Sequence, residues 1–326
     1  MAEQLGAGGL TLEARTFYVM ELLSRAVPQI AYGGWGMQKN IPARGGVNLD
    51  FRKLERPAVA TTALTQGTPP SATAITWTHV TATIGQYGAY ARLSDIAITQ
   101  SIDEQVSELV TMWGEHMGDT LDIICRNELI AGTTVQYAAA STTRGDGGNV
   151  SGPLLEAEIR EAVATLKKNN VKRIAKAGNR YVAVAHPNAE YDFVGSAAGA
   201  GTLSYILSHA AQRGEGNPLF TGDSFDFFGV KIIYTSNARV YGSAGSSGRG
   251  VFTTLVMGEQ FYGESKLSAE AADIIVKPIG SSGALDALNQ FGSVGWKAAY
   301  TARRLNESNA VRIEHGATLD IQGGVA

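Results

Sequence analysis

Charge is what this sequence lacks. Asp, Glu, Lys and Arg make up 17% of its 326 residues, against about a quarter in an ordinary soluble domain. None occurs between Arg56 and Arg92. A formal net charge of −3 gives no basic footprint for a nucleic-acid reader. The single cysteine, Cys125, excludes an internal disulfide framework and fits a reducing compartment. The histidines, His79, His116, His186, His209 and His315, have no second histidine or cysteine at metal-ligand spacing. HExxH and CxxC are also absent, so no metal centre is expected. Missing too are the GK[ST] of a P-loop and the GxSxG of a hydrolase elbow. The Gly-rich run Gly242–Gly250 leads into a strand pattern, whereas a dinucleotide site needs a helix N-terminus there. The N-terminus has no basic segment followed by an apolar core, and no apolar run reaches the roughly 20 residues of a membrane span. A soluble protein made in a cytoplasm, with no membrane partner, is expected.

Apolar residues supply 44% of the chain, enough for a real core in one large domain or two modest ones. A bland surface over such a core suits subunit contacts. The chain is organised around Val47–Arg92. A strand pattern at Val47–Leu54 is followed by a turn at Gln66-Gly67-Thr68-Pro69-Pro70 and by the alternating run Ile75-Thr76-Trp77-Thr78-His79-Val80. Together these read as a long hairpin. A lone hairpin is marginal in water, and an uncharged one exposes edges that template aggregation. Such an arm persists only if another surface receives it, and a neighbouring copy of the same chain is the expected receiver. Ile75, Trp77 and His79 share one face of the second strand, and Thr76, Thr78 and Val80 the other.

Ahead of the hairpin the pattern predicts an amphipathic helix from about Leu12 to Ser24, then an extended Gly-rich segment to Gly46 that must lie along another surface. After it comes the longest helical pattern, about Ile102 to Ala131. Its apolar face is Ile102, Val106, Leu109, Trp113, Met117, Leu121, Ile124 and Glu128, with Ser101 or Asp103 as cap and Gly132 as the C′ stop. Residues 138–152 read as an exposed loop, Leu154–Asn169 as a helix with Pro153 in its first turn, and Tyr181–Ala185 as a buried strand. Helical pieces are expected at Asn188–Val194 and Leu203–Gln212. Strands are expected at Val230–Tyr234, Val251–Met257, Ile274–Pro278 and Ser293–Arg304, the last pairing with Ala310–Glu314 through a turn at Asn306–Asn309. Gly242–Gly250 reads as a flexible loop. The irregular order predicts an α+β class rather than a doubly wound sheet.

Chemistry is hard to find. Glu115, Asp119 and Asp122 fall on one helix face with Arg126 four residues past Asp122, so a solvated face with an Asp122–Arg126 pair is expected. Cys125 reads as a small buried hydrophobe rather than a nucleophile. His79 reads as a packing or hydrogen-bonding residue of the hairpin. An enzyme would have to assemble a site from scattered residues such as His116, Asp122 and Cys125. No catalytic, cofactor-binding or metal-binding residue is assigned.

A resemblance is carried by segments spread over the chain. They are Ala63–Pro70, Gln86-Tyr87-Gly88 leading into Leu93-Ser94-Asp95, Asn127–Thr133, Phe228-Gly229-Val230-Lys231 through Asn237, and Leu288–Lys297. In that order, over roughly Leu12 to Gly316, the chain resembles tailed-phage major capsid proteins of the Hong Kong 97 fold. It is most similar to the branch typified by phage N-four, with Gln66 where that branch often carries an acid. The resemblance implies an N-terminal arm (1–46), an extended E-loop hairpin (47–92), a peripheral domain with the long spine helix (93–179 and 281–326) and an axial domain (180–280). It implies a non-enzymatic subunit of the virion shell, made in a host bacterial cytoplasm, assembling as pentamers and hexamers around double-stranded DNA contacted non-specifically. No cofactor is implied. A portal and a possible decoration protein are implied partners. A separate scaffolding protein is expected, because the helical pro-segment of some relatives is missing before Leu12. The cross-linking Lys and Asn of some relatives cannot be placed, so no covalent cross-linking is expected. Leu64, Ile75, Trp77, Tyr87 and Tyr90 are the candidate subunit-interface residues. The alternatives are an encapsulin-like nanocompartment shell, which shares the fold, and, more remotely, an enzyme of unrecognised class.

Overall fold

A computed structural model describes residues 12–26, 30–41, 46–96 except 56, 58, 65 and 68–70, 105–144, 150, 152–195, 225–266 except 243, 246 and 247, 272–280 and 288–319. In chain order they form α1 (Leu12–Ala26), β1 (Met37–Lys39), β2 (Asn48–Leu54), β3 (Trp77–Thr83), β4 (Gly85–Ser94), α2 (Gln105–Ile130), β5 (Val135–Tyr137), α3 (Glu156–Lys168), β6 (Tyr181–Ala185) and α4 (Pro187–Gly195). Then come β7 (Phe225–Phe227), β8 (Val230–Tyr234), β9 (Val240–Tyr241), β10 (Val251–Met257), β11 (Tyr262–Ser265), β12 (Ala272–Lys277), β13 (Phe291–Tyr300), β14 (Ala302–Arg304) and β15 (Ala310–His315). The class is α+β, as expected. The largest sheet runs β5-β15-β10-β6-β8-β7 with β9 beside β10; smaller ones are β1-β11-β14, β12-β13-β4 and the β2-β3 pair.

Helix α2 is the spine. Val110, Trp113, Met117, Leu121, Cys125 and Leu129 are buried along it, at the three- and four-residue spacing that puts them on one face. The face is rotated from the expected stripe, so that Leu109 and Ile124 are only partly buried. The reason is α1, which packs alongside α2 and widens the covered arc. Its approach is close: a Cβ on Gly114 would sit 2.9 Å from the Leu22 carbonyl oxygen and 2.8 Å from Arg25 Cβ. The surface that receives the N-terminal segment is therefore this chain's own spine. Gly132 ends the helix without the left-handed backbone of a C′ glycine. Arg312 of β15 instead donates to the Ile130 and Gly132 carbonyls, so that a cation satisfies the orphaned end of the helix dipole. The proposed caps Ser101 and Asp103 and the helical piece Leu203–Gln212 lie outside the described residues.

The large sheet is buried on both faces at its centre. Val182, Val184, Leu255 and Met257 face the α2 core, whereas Tyr181, Ala183, Ala185 and Val256 face the core under α3 and α4. That is why the strands there read as unbroken apolar runs. Other expectations change. The stretch Ser293–Arg304 is two strands, because buried Thr301 breaks it: its N–H goes to Ser265 Oγ (3.0 Å) and its carbonyl accepts from Ser265 N–H (2.9 Å). Neither half pairs with Ala310–Glu314. β13 pairs with β12 and β4, β14 with β11, and β15 with β10 and β5. Helix α3 starts at Glu156, past Pro153, with the Glu158 carboxylate accepting the Leu155 N–H at 3.0 Å. In the stretch 138–152 Ala138 and Val150 are buried. Within Gly242–Gly250, Gly245 N–H donates to the Arg249 carbonyl at 2.9 Å, closing a β9-β10 hairpin rather than an open loop.

His315 is buried at the end of β15. Its ring contacts are the Gly316 carbonyl at 2.8 Å from Nδ1 and Thr254 Oγ1 at 2.9 Å from Nε2. A carbonyl can only accept, so Nδ1 carries the hydrogen and Nε2 is left as an acceptor. Burial above all pulls its pKa down from 6.5 to about 4. A depressed pKa adds stability that is complete above the unfolded value and lost as pH falls through the folded one. Between pH 6.5 and 4 this group should withdraw on the order of 3 kcal/mol. Urea unfolding of unassembled subunits across that range should show a steeper fall in the parent than in His315→Gln, and equal slopes would refute the assignment.

Candidate assembly surfaces

The hairpin base is fastened to its own chain. β2 and β3 pair from Asn48↔Thr83 to Leu54↔Trp77, putting Leu49, Phe51 and Ala82 on the inward face, where they are buried. Lys39 lies over the Phe51 ring at 5.3 Å, and Lys53 reaches Asn306 at 3.1 Å. On the outer face Asp50 meets His79 Nδ1 at 3.0 Å, so His79 is a hydrogen-bonding residue, as expected. Gly85–Ser94, expected within the hairpin stretch, pairs instead with β13. Part of the Gln66–Pro70 turn lies outside the described residues.

Beyond the base nothing among the described residues covers the arm's apolar side chains: Leu64 is 75%, Ile75 68% and Trp77 57% exposed, and Tyr90 of β4 is 64% exposed. Burying such side chains is worth roughly 1.5–3 kcal/mol each. Tyr87 differs. Its register partner Ala298 is buried, and Tyr87 packs half-buried against the α2 core.

The body behind the arm is tied together by buried carboxylates. Asp122 is not on a solvated face. It is fully buried, and one oxygen, Oδ1, accepts the backbone N–H groups of Ala31 (2.9 Å) and Tyr32 (2.7 Å). Asn237 Nδ2 bridges Asp119 (3.1 Å) and Asp122 (3.4 Å). Arg126 turns to the Asn237 carbonyl and the Asn127 side chain rather than to Asp122. Burial pushes the Asp122 carboxyl up, against the pull of the donors from Tyr32 and Asn237. Glu264, also raised by burial, accepts from Gly34 N–H (2.8 Å), Gln38 (3.0 Å) and the Tyr300 hydroxyl (3.1 Å). Two carboxylates therefore clamp residues 31–38 to the body. Arg144, expected on an exposed loop, pairs with buried Glu314 and lies 3.7 Å over the Tyr241 ring. Local sequence signals could not reveal these partners, which lie from 36 to 230 residues apart.

The scattered residues an enzyme would need are not gathered into a site. Cys125 and Asp122 are buried inside the spine, burial raises the Cys125 thiol pKa, and His116 is exposed beside Trp113 and Trp296. Among the described residues no group of three His, Cys, Asp or Glu side chains could hold a metal, and no helix is long and apolar enough to cross a membrane.

An uncovered arm, a long spine and a clamped N-terminal segment describe a building block. The family model of phage capsid proteins matches residues 56–306. The chain belongs to the phage capsid protein family. This capsid protein shares its fold with solved tailed-phage shells. Against the capsid of Ralstonia phage GP4 the TM-score is 0.67, with 14% identity over 88% of each chain. Against the capsid of cyanophage Pam1 it is 0.65, with 14% identity over 90% of this chain and 92% of that one. Against Mycobacterium phage Che8 it is 0.59, with 15% identity over 87% and 91%. No curated protein matches the chain. The fold is of the Hong Kong 97 type, and the protein is a major capsid protein that self-assembles into the virion shell, a structural subunit and not an enzyme. The match decides against both the nanocompartment and the enzyme alternatives.

Proposed function

We propose that the capsid protein assembles as pentamers and hexamers around double-stranded DNA, each subunit laying its hairpin arm on a neighbour. The observation that carries this is the exposure of Leu64, Ile75 and Trp77 on an arm that, among the described residues, packs on its own chain only at its base. Tyr90 extends the contact surface on β4, and Tyr87 braces that strand from the core side. On this reading the arm (1–46), hairpin (47–92), peripheral (93–179 and 281–326) and axial (180–280) parts act as separate levers, with β4 travelling with the peripheral part through β13. DNA contact is non-specific, assembly is guided by a separate scaffolding protein, and a portal and a decoration protein complete the shell made in the host cytoplasm. Placement in the N-four branch belongs to the same reading.

Trp77→Ala tests it. An aromatic hot spot costs about 2–4 kcal/mol when truncated, and a shell repeats the loss at every subunit. The variant should melt with the parent as an unassembled subunit and yield few shells by electron microscopy. A variant subunit that melts several degrees lower would instead place Trp77 against its own chain.

A further inference from the structure

The sheet β12-β13-β4 is covered on one face only. Val294, Trp296, Ala298 and Tyr300 of β13 turn into the α2 core. The other face is an open groove of about 620 Å³, within the size range of ligand sites. The strand register sorts it into cross-strand rows. Arg92, Ser293 and Lys277 form the first, Tyr90, Gly295 and Ile275 the second, and Gly88, Lys297 and Asp273 the third. Successive rows are about 6.6 Å apart, two strand residues at ~3.3 Å each. The floor is low because the central residues are small. A Cβ at Gly295 would meet Tyr90 Cβ at 2.6 Å and the Ala89 carbonyl at 2.7 Å, so Tyr90 keeps its place only over glycine. Arg92, Lys277 and Lys297 are exposed, and among the described residues no carboxylate comes within 4.0 Å of them.

We propose that this groove binds an extended acidic segment of a different polypeptide. Side chains on one face of an extended strand repeat every two residues, the spacing of the rows. A carboxylate sits between Arg92 and Lys277, an apolar side chain rests on Gly295 between Tyr90 and Ile275, and a second carboxylate meets Lys297. Charge decides the occupant. The arm of a second copy has no charged residue from 57 to 91 and could not neutralise the cations. Nucleic acid would satisfy them, yet it would set a polar backbone against exposed Tyr90 and Ile275. The groove is formed within one chain and is open on the unassembled subunit. Because Tyr90 is also assigned to the subunit contact surface, the segment occupies the groove before the neighbour closes over it.

The test is fluorescence anisotropy of a labelled peptide repeating Asp-Ser-Val-Ser, titrated with unassembled full-length subunits. Saturable binding is expected, at least tenfold weaker for the Asn-Ser-Val-Ser analogue, for Arg92→Ser with Lys277→Ser, and at 0.5 M salt. These substitutions are on exposed side chains, and unchanged melting checks that the fold persists. Ile275→Ser should weaken binding while leaving its salt dependence intact. Absence of saturable binding overturns the proposal. Equal binding of the Asn peptide would assign the groove to an uncharged segment such as the arm, and tighter binding of oligothymidine would assign it to nucleic acid; either result overturns it too.

Discussion

Asp122→Ala is expected to destabilise the unassembled subunit by about 3–4 kcal/mol, a large share of the 5–15 kcal/mol that holds a domain together. The loss has a definite origin. Removing the carboxylate leaves the buried N–H of Tyr32 and the part-buried N–H of Ala31 without their acceptor, at about 1–3 kcal/mol each with Ala31 at the lower end. Asp122→Asn should cost only about 1 kcal/mol, because its amide oxygen can replace Oδ1 while its NH₂ faces that of Asn237. The pH dependence separates charge from shape. A carboxyl whose folded pKa is raised contributes stability that is complete below its unfolded value, near 4, and lost as pH rises through the folded one. The parent should therefore gain stability, relative to the Asn variant, as pH is lowered toward 4. Urea unfolding of both variants measures this, and an Ala variant within 1 kcal/mol of the parent would refute the clamp.

Glu314→Ala should be more damaging, at about 3–5 kcal/mol. Its fully buried carboxylate accepts from Arg144, at 2.7 Å from Nε, and lies 3.0 Å from Arg312 Nε, close enough for charge although not aligned as a hydrogen bond. Taking the anion away leaves two guanidinium groups facing each other at 32% and 13% side-chain exposure. It also frees Arg312 from the position in which it caps α2 through the Ile130 and Gly132 carbonyls. Glu314→Gln keeps the shape and loses the charge, so it should fall between parent and Ala. A double-mutant cycle with Arg144→Ala should give a coupling above 1 kcal/mol. Additive losses would mean that the pair contributes packing alone.

The parts of this fold that were legible in advance are those written in local periodicity. The spine helix, β6, β10 and the β2-β3 hairpin appear within a few residues of their expected places, because a 3.6 or 2.0 repeat of apolar residues leaves little choice of element. Pairing was less legible. Ser293–Arg304 has one continuous strand pattern, yet Thr301 and Ser265 split it between two sheets. Asp122 shows the same limit. An acid four residues from an arginine on a helix looks like a surface pair, and nothing nearby signals that Ala31 and Tyr32 will cover it.

By itself the sequence determined the class, the elements, the single buried cysteine, the uncharged arm and, through the order of its segments, the capsid family. Each depends on neighbours in the chain or on composition. The tertiary structure alone decided which strands share a sheet, which carboxylates are buried and what they hold. It also decided that the N-terminal segment lies on its own spine while the arm's Trp77 does not. Those outcomes turn on contacts between residues tens to hundreds of positions apart, where competing pairings satisfy the same local pattern and only the packed whole selects among them.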